Sequence, residues 1–454
     1  MLGQRGSAAP GKIGLDPAVL ERAADGGFDE AGQRFAGLER GFQIGAQLGI
    51  DADLGDGGGL HRGSVVRLHY RLEGWRDGGA GSTLPPPRMP HPGMLAAMAR
   101  RNPYHDPSRP HHHPEGFRNS NGADPTRSLA EVLRWRWDAA RHGLPRPPAT
   151  PIPAVAPDLG FLRENARAGA SMQPAVTWVG HATVLAQLGG LNVLTDPIFA
   201  ERASPLSFAG PKRHQPPGLG LGQLPRVDLV LVSHNHYDHL DEASVRALNA
   251  QAGGPPLFVV PLGLAAWLRA KGVPAARSVE LDWWQTLDVP GPVGGVELML
   301  VPAQHWSARG LGDRMATLWG GFALFAPDAH LFYAGDTGYS RDFAEIRERC
   351  AQRQAPEAGG GFDIALLPIG AYEPRWFMAT QHVNVEEAVK IHLDLGAKRS
   401  LGVHWGTFQL TDEPLDEPPR RLVEERARLG LADHAFFTLA IGQTERLERR
   451  GLTG

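Results

Sequence analysis

The spacing of hydrophobic and polar positions changes sharply along this chain of 454 residues. Up to about residue 90 it shows little order. Weakly periodic stretches at 16–24 and 29–48 predict short helices, and Gly-rich tracts at 55–59 and 78–81 interrupt them. Residues 1–90 are therefore expected to be a low-complexity, disordered extension. Residues 91–173 are irregular and punctuated by proline, with one amphipathic helix predicted over 129–141 that carries Trp135 and Trp137. This segment is expected to pack on the part that follows. Its run His111-His112-His113 reads as solvated loop, the commoner fate of such a run, rather than as a metal site.

From 174 to 445 the texture is different. Short β-branched and apolar runs predict strands at 175–179, 183–188 and 191–195, the last two joined by the hairpin signal Gly189-Gly190. Further strands are predicted at 227–232, 257–260, 296–301, 316–325, 330–334, 363–368 and 399–404. Helical periodicity falls between them at 241–250, 262–270, 384–395 and 418–429, with Gly272, Gly396 and Gly430 as stop signals. Asn384 and Glu387 have the spacing of a capping box. Strands alternating with helices place this half among the α/β architectures.

Composition narrows the function classes. A net charge of −3 supplies no basic field for nucleic acid. Cys350 is the single cysteine, so no intrachain disulfide can form, and its place in an arginine-rich helical stretch reads as structural. No run of about twenty apolar residues exists to span a membrane. The start of the chain lacks a basic stretch followed by an apolar one, so no secretory signal is expected. The expectation is a cytoplasmic protein whose contact with membranes is peripheral.

Chemistry is concentrated after the strand at 227–232, in Ser233-His-Asn-His-Tyr-Asp-His239. His234 and His236 are two apart and project to one side of an extended segment, while Asp238 and His239 lie just beyond, where Asp241 can cap a helix. Imidazole and carboxylate suit zinc and similar divalent ions, so this loop offers two ligands to one ion and two to a neighbour. Three later strand ends carry further candidates, His305, Asp336 and His404, and two earlier ones carry His181 and Asp196.

His-x-His-x-Asp-His after an apolar strand resembles the signature of the metallo-β-lactamase superfamily, and the order His305, Asp336, His404 fits its later motifs. The resemblance implies a four-layer αββα sandwich with metals at one edge. It implies that His234, His236 and His305 hold one ion, that Asp238, His239 and His404 hold a second, and that Asp336 bridges them. The nitrogen-and-oxygen ligand set points to two Zn2+ per subunit, with iron and manganese as the other candidates. Asp196, in Thr195-Asp-Pro-Ile-Phe199, is placed like the superfamily's first-motif aspartate, expected to orient the metal loop; His181 is a candidate for the same supporting role.

Longer phrases sharpen the match. Trp178-Val-Gly-His-Ala-Thr183, Leu194-Thr-Asp-Pro-Ile-Phe199, Gly210-Pro-Lys-Arg213, Leu281-Asp-Trp-Trp284, Ile369-Gly-Ala-Tyr-Glu-Pro-Arg-Trp-Phe-Met378 and His404-Trp-Gly-Thr-Phe408 resemble the N-acylphosphatidylethanolamine-hydrolysing phospholipase D family over about 176–442. What this implies is a binuclear zinc phosphodiesterase in which a metal-bound hydroxide attacks phosphorus directly, releasing N-acylethanolamine and phosphatidate. Asp238, Asp336 and His382 are then the catalytic candidates, and Tyr237 and His382 the contacts to substrate. The partner is a phospholipid at a membrane surface, not nucleic acid, and a homodimer is implied. Two alternatives stand beside this reading: a lactonase or small phosphodiester hydrolase of the same fold, and a non-catalytic lipid-binding metalloprotein. Lys212 and Arg213 read equally as headgroup contacts or solvated charges; Trp283, Trp284, Trp306, Trp376 and Phe377 read equally as acyl-groove walls or core.

Overall fold

Fourteen strands build two seven-stranded sheets in the computed structural model, which describes residues 101–310, 312–356 and 359–451. The helices expected at 16–24 and 29–48 lie outside the described residues. A small ribbon comes first, β1 (His112–His113) against β2 (Gly116–Phe117). The first large sheet takes β3 (Ala175–Gly180), β4 (Thr183–Leu188), β5 (Leu191–Thr195), β6 (Leu229–Leu231), β7 (Leu257–Pro261) and β8 (Ser278–Leu281), and β16 (Thr444–Arg446) returns to pair with β3. The second takes β9 (Thr286–Val289), β10 (Val296–Val301), β11 (Gly321–Phe325), β12 (His330–Tyr333), β13 (Ile364–Pro368), β14 (Ser400–Val403) and β15 (Phe436–Phe437) in that spatial order. Each sheet starts as antiparallel hairpins and continues as parallel strands linked through helices: β5 to β8 in the first, β12 to β15 in the second.

Alternation of side chains explains the layering. On β4, Val184 and Ala186 enter the core between the sheets, whereas Leu185 points outward; on β6, Leu229 and Leu231 point in and Val230 out. The outward set meets Val245 and Leu248 of the helix Glu242–Asn249 and Leu268 of the helix Ala265–Ala270. Across the molecule, Val389 and Ile391 of the helix Val385–Leu395 and Phe343 and Ile346 of the helix Asp342–Cys350 join the central core behind the second sheet. Both faces of both sheets are therefore covered, which is why the strand sequences read as nearly unbroken apolar runs. This is the four-layer αββα sandwich.

Several boundaries move for identifiable reasons. The strand expected at 316–325 begins only at Gly321, because the Leu318 and Gly320 amides donate to Leu262 O and Ser233 O in loops instead of to a ladder. The helix expected at 262–270 begins at Ala265, because the Gly263 and Ala265 amides bind the Glu280 carboxylate, each at 2.8 Å. The arginine-rich stretch around Cys350 forms the helix Asp342–Cys350; the helix Leu159–Arg167 and the strands β8, β9, β15 and β16 lie where the pattern predicts none. Cys350 is buried at the end of its helix.

The histidine run at 111–113 corrects its sequence reading. His111 and His112 are buried, and only His113 is exposed. The Asp282 carboxylate meets His111 Nε2 at 2.6 Å, His112 Nε2 at 3.0 Å and Arg109 at 2.7 Å. The Asp106 amide donates to His112 Nδ1 at 3.1 Å, which leaves the ring proton on Nε2 to be given to Asp282. This network fastens residues 102–120 to the sandwich. The helix Leu129–His142 is fastened in turn where Trp135 Nε1 donates to Asp412 at 2.8 Å.

Candidate metal centre

Strand ends on one edge of the sandwich deliver the chemistry. His234, His236, Asp238 and His239 follow β6, His305 follows β10, Asp336 follows β12 and His404 follows β14. His181 turns the corner after β3, and Asp196 ends β5. His181, Asp196 and His404 have positive φ (55°, 31° and 64°), a left-handed backbone that costs a non-glycine residue about 1–3 kcal/mol. Surrounding hydrogen bonds hold it; the His404 amide, for example, donates to His181 O at 3.0 Å. Before Asp336, only glycine fits at 335, since a Cβ there would lie 2.6 Å from the Ser233 side chain.

Ligand-type atoms converge in two adjoining groups. His236 Nδ1 lies 2.8 Å from His234 Nε2 and 3.2 Å from His305 Nε2. Beside them, His239 Nε2 and His404 Nε2 are 3.2 Å apart, and each is 3.4 Å from Asp238 Oδ2. Asp336 stands between the groups. Its Oδ2 is 3.1 Å from His239 Nε2, and 4.0 and 3.9 Å from His234 and His305 Nε2; its Oδ1 is 3.2 Å from His404 Nε2. The structure thus brings all seven residues together.

The arrangement fits cations. His305 Nδ1 donates to Gln381 O at 2.9 Å and His239 Nδ1 meets Asp196 at 2.6 Å, so both rings turn Nε2 inward. Asp336 Oδ1 is buried with His404 Nε2 3.2 Å away as its near neighbour, a setting that favours positive charge beside the carboxylate. The electrostatic surroundings of these residues point the same way. Burial pushes His236 and His305 down to about 3 and His234 well below its ordinary value, so these rings are neutral donors. Burial also opposes charge on His239 and His404, but Asp336 and Asp238 override it and lift His404 to about 9 and His239 well above the ordinary imidazole range. Burial would raise Asp238 and Asp336; the charge of His239 instead holds both well below the usual carboxylate range. A divalent ion held by these residues would take the place of the protons that His239 and His404 otherwise bind.

Around these residues lies a supporting ring. Asp196 accepts from the Ser233 amide at 2.7 Å, from Ser233 Oγ, from His239 and from the Tyr333 hydroxyl. His181 Nε2 lies 3.0 Å from Asp238 Oδ2, close to the ligand atoms of Asp238, His239 and His404. Asn119 Oδ1 accepts from the His305 amide at 2.9 Å. Arg309 is half-buried over the Tyr237 ring, 4.0 Å from its centroid, and its guanidinium donates to Asn235 O and Leu240 O, closing the ligand loop. Ser233, Tyr333, Asn119 and Arg309 were not picked out from sequence. Asn119 lies in a segment without periodicity, and only contact across 186 positions gives it a role.

A cavity opens onto the ligands. His236, Tyr237, Asp238, Asp336 and His382 line it at the ligands, and Val132, Trp135, Trp306, Phe377, Met378 and Leu410 give it apolar surface beside Arg127, Arg136 and Arg314. His382 Nδ1 is buried 3.8 Å from Asp336 Oδ2 and makes no hydrogen bond; burial pushes it down to about 3. Tyr237 lines the cavity, but its hydroxyl proton goes to Arg309 O at 2.7 Å. Of the five aromatics with two readings, Trp306 and Phe377 line the cavity, Trp283 is core against His111, Trp284 is half-buried and Trp376 is exposed. Lys212 pairs with Glu201 at 2.8 Å, and Arg213 donates to Ile198 O and Ala200 O.

Comparison with known proteins agrees with this geometry. A family profile described as a beta-lactamase superfamily domain matches residues 191–405. An uncharacterised Mycobacterium tuberculosis protein is 41% identical over 309 residues, 67% of this chain and 74% of that one. The yeast N-acyl-phosphatidylethanolamine-hydrolyzing phospholipase D is 38% identical over 271 residues, 59% of this chain and 55% of the relative. The Caenorhabditis elegans N-acyl-phosphatidylethanolamine-hydrolyzing phospholipase D 1 is 42% identical over 276 residues, 59% of this chain and 74% of the worm protein. On these matches the chain belongs to the N-acylphosphatidylethanolamine-hydrolysing phospholipase D family, metal-dependent hydrolases of the metallo-β-lactamase superfamily.

Proposed function

We propose that this protein hydrolyses N-acylphosphatidylethanolamine to N-acylethanolamine and phosphatidate, using two divalent cations held by His234, His236, His305, Asp238, His239, His404 and Asp336. Zinc is the ion this ligand set suits best. One observation carries the reading: the same cavity is lined by metal-type ligands and by apolar side chains. A diester with lipid tails needs both, a charged end for its phosphate and apolar surface for its chains. The worm and yeast relatives carry this activity in their names.

Such cations supply a water that ionises near neutral pH, and they neutralise charge growing on the phosphoryl oxygens. The chain's own residues do the rest. Asp196 and Gln381 O fix which nitrogens of His239 and His305 face inward. Asp336 reaches both ligand groups and sets their separation. His382 Nδ1 opens toward Asp336 without a competing partner, so this ring is placed, as a neutral imidazole, to contact the phosphate group. Tyr237 contributes the face and edge of its ring, with its hydroxyl held by Arg309. The substrate puts the working enzyme at a membrane surface; no helix among the described residues is long and apolar enough to cross one.

Metal quantification and product analysis test the proposal together. Two zinc ions per chain and release of N-acylethanolamine from the N-acylated lipid are expected. Cleavage of a soluble bis-ester or a lactone with none of the lipid would replace the substrate assignment. One tightly held ion and no ester hydrolysis would leave a structural metalloprotein.

A further inference from the structure

His382 and Gln381 lie on one short turn, 377–383, and each serves the site differently. Gln381 presents its carbonyl to His305 Nδ1, and His382 presents its ring to Asp336. The His382 ring nitrogen facing Asp336 has no hydrogen bond, and the ring rests near those of His305 and His404, so the backbone that carries it helps decide where the ring stands. That backbone is gripped by two guanidinium groups, one from a distant segment and one from just ahead of the turn. Arg127, ahead of the helix Leu129–His142, donates from Nε and Nη2 to Phe377 O at 2.9 and 2.5 Å, and from Nη2 to Thr380 Oγ1 at 2.8 Å. Arg375 donates from Nη1 to His382 O at 2.8 Å and from Nη2 to Glu387 at 2.7 Å. Glu387 is the residue that closes the capping box of the helix Val385–Leu395 with Asn384.

We propose that Arg127 and Arg375 are positioning residues for the hydrolysis, acting through the 377–383 turn to set the His382 ring against Asp336 and the Gln381 carbonyl against His305. The inference rests on the proposed function for its kinetic consequence, though not for its geometry. Planarity is the physical reason for arginine at both places. A guanidinium holds two acceptors at once in a fixed fork, which the single ammonium of lysine does not. Arg127 also ties the reaction to a segment that lies before the residues of the superfamily match, which start at 191.

A double-mutant cycle on the full, zinc-loaded chain tests this. Arg375→Ala and Arg127→Ala are expected to lower kcat by roughly 10–100-fold, the range for partners that orient ligands, with a smaller change in KM. In a His382→Ala background, Arg375→Ala is expected to lower kcat no more than about 3-fold, because the ring through which it acts is gone. Equal losses in the two backgrounds overturn the proposal. Arg→Lys at each position keeps the charge and guards against unfolding; it should recover part of the loss. Both N-acylphosphatidylethanolamine micelles and bis(p-nitrophenyl) phosphate serve as substrates, so loss of the lipid reading alone leaves the cycle measurable. Independently of turnover, nitrogen-15 spectra of histidine-labelled protein should show the His382 imidazole resonance displaced in both Ala variants while the remote His392 stays in place. An unmoved His382 signal refutes the positioning role even if no ester is cleaved.

Discussion

Asp196 and His239 meet at 2.6 Å, and the same carboxylate also takes the Ser233 amide, the Ser233 hydroxyl and the Tyr333 hydroxyl. One buried acid therefore fixes a ligand ring and the start of the ligand loop together. Asp196→Asn keeps the shape but puts a donor where acceptors are needed. Zinc affinity should fall about 10–100-fold, the usual cost of losing a partner that orients a ligand. Competition with a chelator measures it. Tyr333→Phe removes one of the four bonds and should cost about 1 kcal/mol of stability with little change in zinc affinity. Unchanged zinc affinity in Asp196→Asn would show that His239 keeps its orientation without this acid.

Asp336 touches both ligand groups, so its removal should be felt at each. Asp336→Asn is expected to lower turnover by at least about 100–1,000-fold and bring bound metal below two ions per chain. Elemental analysis beside a turnover assay checks both. A variant with two ions and normal turnover would remove the bridging role.

Much of this site could be read before folding because its ligands sit at strand ends, where apolar runs stop abruptly at His234, His305, Asp336 and His404. A buried strand has a pattern, and a polar residue that breaks it is conspicuous. The parts that escaped have no such contrast. Asn119 and Arg127 lie in proline-rich chain with no period, and their partners, His305 and Phe377, are 186 and 250 positions away. His111 and His112 looked solvated because a histidine run carries no sign of the aspartate, Asp282, that buries it. The edge strands β8 and β9 are only partly buried, so their alternation is faint. Helix starts moved where a side chain such as Glu280 captured the first amides.

The Asp282 network predicts a separable failure. Asp282→Ala leaves His111, His112 and Arg109 without their shared acceptor in a buried place, a loss of about 3–5 kcal/mol. The segment 102–120 should loosen before the sandwich does. Limited proteolysis is expected to cut first in this segment, and its amides should exchange faster than those of β5 to β8. Uniform loosening of the whole chain would show that the network supports the sandwich rather than the segment.

Glu413 gives a pH dependence away from the metal ligands. Its carboxylate accepts from the amides of Ala371 at 2.6 Å, Tyr372 at 3.3 Å and Glu373 at 3.0 Å, securing a loop whose Ala371 lines the cavity. Burial raises it to about 7, and the amides recover only part of that rise. A carboxyl whose folded value lies above its unfolded value of about 4.5 binds more protons folded than unfolded. Its stabilising contribution is thus complete below about 4.5 and is lost as pH climbs through about 7. The size is on the order of 2–3 kcal/mol. Glu413→Gln retains one oxygen acceptor and cannot ionise, so its stability should be flatter across this range. Urea unfolding at pH 5 and pH 8 should therefore show the wild type losing more stability than the variant on going to the higher pH. Parallel losses would mean that the amides, rather than burial, govern this carboxylate, and that Glu413 grips the loop as an anion at both pH values.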